Sequence, residues 1–211
     1  MNDVAAGVVL VIRLDTSAGA RAVAEAGIRA GFDAVEVTFS VPDAARVISD
    51  IVPVAARHGT PIGAGTVLEP AQVDAAADAG ATFVVAPDTF APVAERARAR
   101  GLAYVPGAFT PTEIQTAHRL GASAVKVFPI RSGGPDYISE LRGPLPHITY
   151  VVSGGLGAED CAQLLRQGAH AACVGAGLFS AQAREAADID TLVAEGRAFL
   201  AVARGTARLA S

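Results

Sequence analysis

The sequence predicts a single-domain α/β fold of the (β/α)8 TIM barrel type, and three observations carry that expectation. Short apolar runs alternate with alanine-rich helical stretches along the whole chain. Hydrophobic residues make up 51% of the sequence and mean hydropathy is +0.38, as expected when parallel strands are covered on both faces. Eight strand–helix units in 211 residues leave about 26 residues each, compact for a fold that usually runs to about 250. A doubly wound open sheet is the alternative, because local pattern does not report closure. No composition shift, long linker or low-complexity tract divides the chain. Residues 1–211 therefore read as one domain, with a C-terminal helix at about 188–206.

The strand runs are Val8–Leu14, Ala34–Phe39, Pro61–Val67, Phe83–Pro87, Ala103–Ala108, Ala124–Pro129, Thr149–Gly155 and Ala172–Leu178. Between them, stretches such as Ala44–His58 and Val73–Ala79 place apolar residues at helical spacing. Thr110-Pro111-Thr112-Glu113 is a helix start: threonine caps free amides, proline fits the first turn, and Glu113 completes a capping box. Gly31, Gly59, Gly80, Gly101, Gly121 and Gly168 follow helical stretches, where a left-handed residue ends the helix.

Composition narrows the partners. A net charge of −4 without a basic cluster argues against nucleic acid and anionic membrane surfaces. Every apolar run is too short to span a bilayer, and the N-terminus has no signal-peptide pattern. Cys161 and Cys173 read as small buried residues of a reducing cytoplasm, and the four histidines lack ligand spacing, so neither a metal nor another cofactor is expected.

One residue breaks the compositional pattern. Sixteen of the seventeen basic residues are arginine, and the one lysine, Lys126, sits within the apolar run Ala124–Pro129. An arginine there would stay protonated, whereas a desolvated lysine can lose its proton and attack a carbonyl as a free amine. Lys126 is the candidate Schiff-base nucleophile, against the bland reading of a strand-end lysine that snorkels to water. Glu36 is the second unusual charge, and strand alternation sets Glu36 and Thr38 on one face against Val35 and Val37 on the other. It is either a general base or a structural partner of Arg13 or Lys126.

Catalytic residues of such barrels stand at the carboxyl ends of strands, which here collects Arg13, Glu36, Thr38, Thr66, Lys126 and Ser153. The run Gly63-Ala64-Gly65-Thr66-Val67 admits a ligand close to the backbone, although glycines also ease tight turns. Ser153-Gly154-Gly155 and Gly175-Ala176-Gly177 follow the last two strands, where exposed amides commonly hold phosphate. Arg131 is either the cation for that anion or a solvated loop residue. Asp88 reads as a turn residue.

With Lys126 in Val-Lys-Val-Phe-Pro, Glu36 in Val-Glu-Val-Thr and the Gly-Ala-Gly-Thr run, the sequence resembles the 2-keto-3-deoxy-6-phosphogluconate and 4-hydroxy-2-oxoglutarate (KDPG/KHG) aldolases. The match extends from Val8 to about Phe179 and includes Pro106-Gly107 with Thr110–Glu113. The resemblance implies a class I aldolase that needs no cofactor and releases pyruvate. In it Lys126 matches the Schiff-base lysine and Glu36 the acid/base carboxylate. Thr66 with the Gly63–Gly65 backbone matches the carboxylate-holding segment, and Phe128 an aromatic beside the pyruvyl group. Gly154, Gly155, Gly175 and Ala176 match the phosphate-end loops. Homotrimers are usual in this family, and the implied partners are a 2-keto acid and an aldehyde, phosphorylated or not.

Departures from the pattern bear on the substrate. Ser40 stands where many phosphogluconate enzymes carry arginine, and Arg13 is placed to supply that cation, as a comparable arginine does in the phosphogalactonate branch. The family's Thr-Gly-Gly is Ser153-Gly154-Gly155, Gly177 replaces a serine of the last loop, and the helix that usually precedes the first strand is nearly absent. A barrel isomerase or synthase without covalent catalysis, and a sugar-phosphate binding protein without turnover, are the competing readings. Neither requires a lysine and a glutamate in these interior positions.

Overall fold

A computed structural model of the chain describes residues 5–205. Nine parallel strands form one sheet: β1 (Gly7–Ile12), β2 (Ala34–Thr38), β3 (Ile62–Gly65), β4 (Phe83–Val85), β5 (Ala103–Val105), β6 (Gly107–Ala108), β7 (Val125–Val127), β8 (Tyr150–Ser153) and β9 (Ala171–Gly175). Helices α1 (Ser17–Ala30), α2 (Ala44–His58), α3 (Pro70–Asp78), α4 (Ala91–Ala99), α5 (Pro111–Arg119), α6 (Tyr137–Arg142) and α7 (Ala158–Arg166) connect them. After β9 come α8 (Ala181–Ala186) and α9 (Ile189–Ala203), which packs on α1 and α7.

The strand order is β5-β4-β3-β2-β1-β9-β8-β7-β6, so the two edges of the sheet are the consecutive segments β5 and β6. Only Pro106 separates them. Proline has no N–H for a ladder, so the fifth predicted run breaks into two strands at that residue. Pro106 keeps its acceptor role, taking a 2.8 Å hydrogen bond from the Lys126 backbone N–H. The fifth strand thus changes partners in mid-course, and the barrel closes through it. That resolves barrel against open sheet.

The sheet sorts its side chains into two layers. Leu10, Ile12, Val35, Val37, Val84 and Tyr104 face outward and pack with helix residues such as Ile28, Ile48, Ile114 and Leu192. Val9, Ala34, Phe83, Val85, Val105, Val151 and Cys173 fill the lumen. Burying one Val, Leu or Ile side chain stabilises the fold by about 1.5–3 kcal/mol, so this double layer is the main source of stability.

Helix boundaries follow the sequence signals closely. The Ala44–His58 stretch coincides with α2, and Gly31, Gly59, Gly80, Gly101, Gly121 and Gly168 all have positive φ. At the start of α5 the Glu113 carboxylate accepts from the Phe109 and Thr110 amides at 2.8 Å each, and Thr110 Oγ1 accepts from the Glu113 N–H. Those bonds hold the Glu113 carboxyl below its ordinary range. The last helix ends at Ala203, and residue 206 of the predicted helix, like the segment before Ala5, lies outside the described residues.

Strand ladders are shorter than the predicted runs at their carboxyl ends. β1 stops at Ile12, β3 at Gly65 and β7 at Val127, while Ala176–Leu178 forms a 3-10 turn. Beyond these points the backbones leave the ladder at the barrel mouth, where Val67 stays buried while Arg13 and Phe128 are exposed. Thr66 marks one such departure, with φ of 54°.

Candidate active site

Glu36 pairs with Val11 of β1 and Gly63 of β3, and its flanking residues Val35 and Val37 point outward, so its carboxyl enters the lumen. Lys126 stands likewise between outward-facing Val125 and Val127, in register with Gly107 and lumen-facing Val151. Both charges are interior: Glu36 is 1% exposed and Lys126 8%. Desolvation raises the Glu36 pKa above its usual value of 4.5, against the opposing pull of Lys126 and Arg13. The Lys126 Nζ lies 5.3 Å from the centroid of the Phe128 ring, which is half-exposed at the mouth.

Gly65 makes room for the carboxylate. A Cβ there would run into the Glu36 carboxyl, and one at Gly63 would run into the Phe83 ring. Gly65→Ala is expected to cost about 1–3 kcal/mol through overpacking. It should also lower kcat, because relief of the clash displaces the Glu36 carboxyl. Denaturant unfolding and steady-state kinetics on one preparation check both effects; wild-type stability and turnover would remove this role.

A hydroxyl network fixes the cation at the mouth. Arg13 donates from Nη1 to Ser40 Oγ and from Nη2 to Thr66 Oγ1, each at 2.9 Å. Ser40 shares a 2.8 Å hydrogen bond with Thr38, and Thr38 donates to the Ile12 carbonyl at 3.0 Å. Ser40 therefore orients Arg13 in place of a second arginine. Thr38 and Ser40 complete this network, and local pattern alone gives neither an individual role. The signal for Thr38 was its place two residues from Glu36 on the same strand face.

The remaining predicted residues gather at the ends of β8 and β9, where Ser153 pairs with Cys173. Ser153 is buried toward the lumen, while Gly154 and Gly155 have φ of 126° and 70°, which only glycine adopts without strain. Gly175 is open, with space around its α-carbon, and Ala176 is buried at the start of the 3-10 turn. At the N-terminus of α7 the Gly157 N–H donates to Asp160 at 2.8 Å. Arg131 crosses this corner: a Cβ on Gly155 would lie 3.3 Å from its Cδ and Nη1. Its ion pair with Asp160 is long, at 4.0 Å, and the side chain is 69% exposed. Asp88 lies in a bend beside Phe128, in a cleft of about 390 Å3 with Thr89, Gly107 and Phe109.

The Lys126 amine, the buried Glu36 carboxyl and the pinned Arg13 guanidinium thus share the carboxyl end of one barrel, with the glycine-rich ends of β8 and β9 beside them. Among the described residues no group of histidine, cysteine or carboxylate side chains could hold a metal, and no helix is long and apolar enough to cross a membrane. The family model for KDPG and KHG aldolase matches residues 4–194. The 2-dehydro-3-deoxy-6-phosphogalactonate aldolase of Escherichia coli (strain K12) is 39% identical over 174 residues, 82% of each chain. The 2-dehydro-3-deoxy-phosphogluconate aldolase of Treponema pallidum (strain Nichols) is 34% identical over 188 residues, 89% of each. A solved structure described as "Native KDPGal structure" superposes with a TM-score of 0.81 at 34% identity, covering 94% of each chain. A tryptophan synthase structure from M. tuberculosis, at 16% identity and a TM-score of 0.71, with 95% of this chain and 93% of that one covered, shares the fold alone. On the motif order, the barrel and these relatives together, the chain belongs to the KDPG and KHG aldolase family.

Proposed function

We propose that the protein is a pyruvate-releasing class I aldolase that cleaves a 2-keto-3-deoxy-6-phospho sugar acid, preferring the galactonate epimer. The observation that carries this reading is the pairing of the one lysine with a buried glutamate at the carboxyl end of the lumen. The epimer preference draws on the 39% identity to the phosphogalactonate enzyme and on Arg13, held by Ser40, in place of a second arginine.

The free-amine form of Lys126 adds to the C2 ketone, and loss of water gives a protonated imine. Glu36, directly or through water, takes the C4 hydroxyl proton. The C3–C4 electron pair then moves into the imine, yielding an enamine and an aldehyde. Glu36 returns the proton toward C3 of the enamine, and hydrolysis of the imine frees pyruvate and regenerates Lys126. Arg13 and Thr66 hold the substrate carboxylate by charge-assisted and hydroxyl hydrogen bonds, and Ser153 meets the sugar hydroxyls. The amides of Gly154, Gly155, Gly175 and Ala176 receive the phosphate, with Arg131 as its cation. The assembly is a homotrimer and the compartment a reducing cytoplasm; the family resemblance supports the first, and the two free buried cysteines the second.

A coupled assay with lactate dehydrogenase tests the substrate. Pyruvate release is expected to be fastest from the phosphorylated galactonate epimer, and equal kcat/KM for phosphorylated and unphosphorylated acids would reject the anion corner. Arg131→Ala should raise KM for the phosphorylated acid about 10- to 100-fold, the scale of one lost charge-assisted hydrogen bond. It should leave pyruvate-imine formation intact, and an unchanged KM would return Arg131 to the status of a solvated loop residue.

A further inference from the structure

Arg131 stands on the Ile130–Gly133 turn that follows β7, and the backbone of that turn is held in place. The Tyr137 hydroxyl donates to the Phe109 carbonyl at 2.6 Å and its ring stacks on Phe109 with centroids 5.0 Å apart. Gly133 packs against that ring, where a Cβ would run into it. The Arg131 side chain is freer. It crosses Gly155, lies beside a cleft of about 220 Å3, and is largely exposed. Among the described residues its one counter-ion is Asp160, with Nη2 4.0 Å from Oδ2. At that distance the two share charge and no hydrogen bond. The same Oδ2 accepts from the Gly157 N–H at 2.8 Å, and Asp160 belongs to the acidic first turn of α7, where the helix dipole favours negative charge. The Asp160 carboxylate is therefore fixed by α7, and it gives Arg131 charge without direction.

We infer that Asp160 is the resident counter-ion of Arg131, that the substrate phosphate takes the guanidinium from it, and that Asp160 thereby tunes the preference for phosphorylated over unphosphorylated acids. The inference rests on the proposed role of Arg131 as the cation for the phosphate. A phosphate oxygen that receives a charge-assisted hydrogen bond from Arg131 is a far better partner than an exposed carboxylate at 4.0 Å, so the exchange runs toward substrate. The carboxylate still opposes it, because two anions then compete for one cation. Asp160 acts through Arg131 and touches no reacting atom, which makes it a positioning residue. Glu159, the other carboxylate of that first turn, makes no ion pair with Arg131 among the described residues and is the natural comparison.

Asp160→Asn removes the charge while its side-chain oxygen can still accept from the Gly157 N–H. In the coupled pyruvate assay it should lower KM for the phosphorylated acid about two- to fivefold, the scale of one exposed ion pair, with the change falling on KM and not on kcat. The unphosphorylated acid should show no such gain, and neither should Asp160→Glu, which restores the charge, nor Glu159→Gln. In an Arg131→Ala background the gain from Asp160→Asn should shrink below about twofold, because the two residues act as a pair. An unchanged or raised KM in Asp160→Asn, an equal gain with the unphosphorylated acid, or a full gain without Arg131 overturns the inference. The wild type separates this from the reading beneath it. Equal kcat/KM for the two acids overturns the phosphate assignment and the role of Asp160 together, whereas a phosphate preference that Asp160→Asn leaves unmoved overturns the role of Asp160 alone.

Discussion

Lys126→Arg is expected to lower pyruvate release by at least about four orders of magnitude, as removal of a covalent nucleophile does. Arginine keeps the positive charge and much of the side-chain length, so the interior cation beside Glu36 and Phe128 persists while the nucleophile is lost. The chain is unusually suited to the test. Reduction with borohydride in the presence of pyruvate should add one pyruvyl-derived mass, and the only lysine side chain able to carry it is Lys126. Peptide mapping then separates that site from any α-amino group. The expected pattern is an adduct on Lys126 in the wild type, none on residue 126 in the variant, and similar thermal unfolding for both. Full turnover by Lys126→Arg would end the covalent mechanism.

Glu36→Gln should reduce kcat by about 10²–10⁴-fold, the usual worth of a positioned proton transfer, while imine trapping on Lys126 survives. The two assays thus divide the nucleophile from the acid/base group. The same substitution carries a stability signature whose sign follows from burial. The folded-state pKa of Glu36 lies above 4.5, so between that value and the folded pKa the native protein binds more protons than the unfolded chain. Its contribution to stability therefore falls as pH rises through that window. Glutamine does not titrate. The Tm difference, variant minus wild type, should grow in favour of Glu36→Gln as pH is raised from about 4.5. A difference that is flat or declines with pH would mean that Lys126 and Arg13 outweigh desolvation.

Both outcomes show a site maintained at some cost to the fold. The Glu36 carboxyl occupies interior space that Gly65 leaves open, and one of its oxygens lacks a protein partner. A carboxyl of raised proton affinity holds a transferred proton more readily than an ordinary carboxylate, and the same burial that raises it is destabilising when the group ionises.

Much of this was legible in the chain. Apolar runs separated by helical stretches with terminal glycines specify the βα units, because hydrophobic period and left-handed caps are local properties. Alternation in Ala-Val-Glu-Val-Thr is enough to put Glu36 and Thr38 on one face. A lysine within an apolar run, in a chain that otherwise uses arginine, points to an amine that must be able to lose its proton. The family resemblance then joined Lys126, Glu36 and Thr66 in one reaction.

Other features depend on contacts between residues far apart in sequence, where neither period nor composition carries information. The Ala103–Ala108 run reads as one strand, yet Pro106 splits it, and the two halves close the barrel by serving different neighbours. The Gly63-Ala64-Gly65 run reads as a place for ligand approach; in the fold its missing side chains accommodate Phe83 and Glu36. Ser40 reads as the loss of a cation, and only the meeting of the β1 and β2 ends makes it the anchor of Arg13. Cys173 reads as a small buried residue, and only closure of the sheet sets it in the lumen layer with Val9 and Val151. The sequence by itself determined the units of the fold and singled out Lys126 and Glu36 as the candidate nucleophile and acid/base residue, because these follow from local pattern and from the chemistry of single side chains. The tertiary structure alone decided ring closure, the space around Glu36 and the partners of Arg13, because packing and hydrogen bonding across a barrel depend on which strands become neighbours.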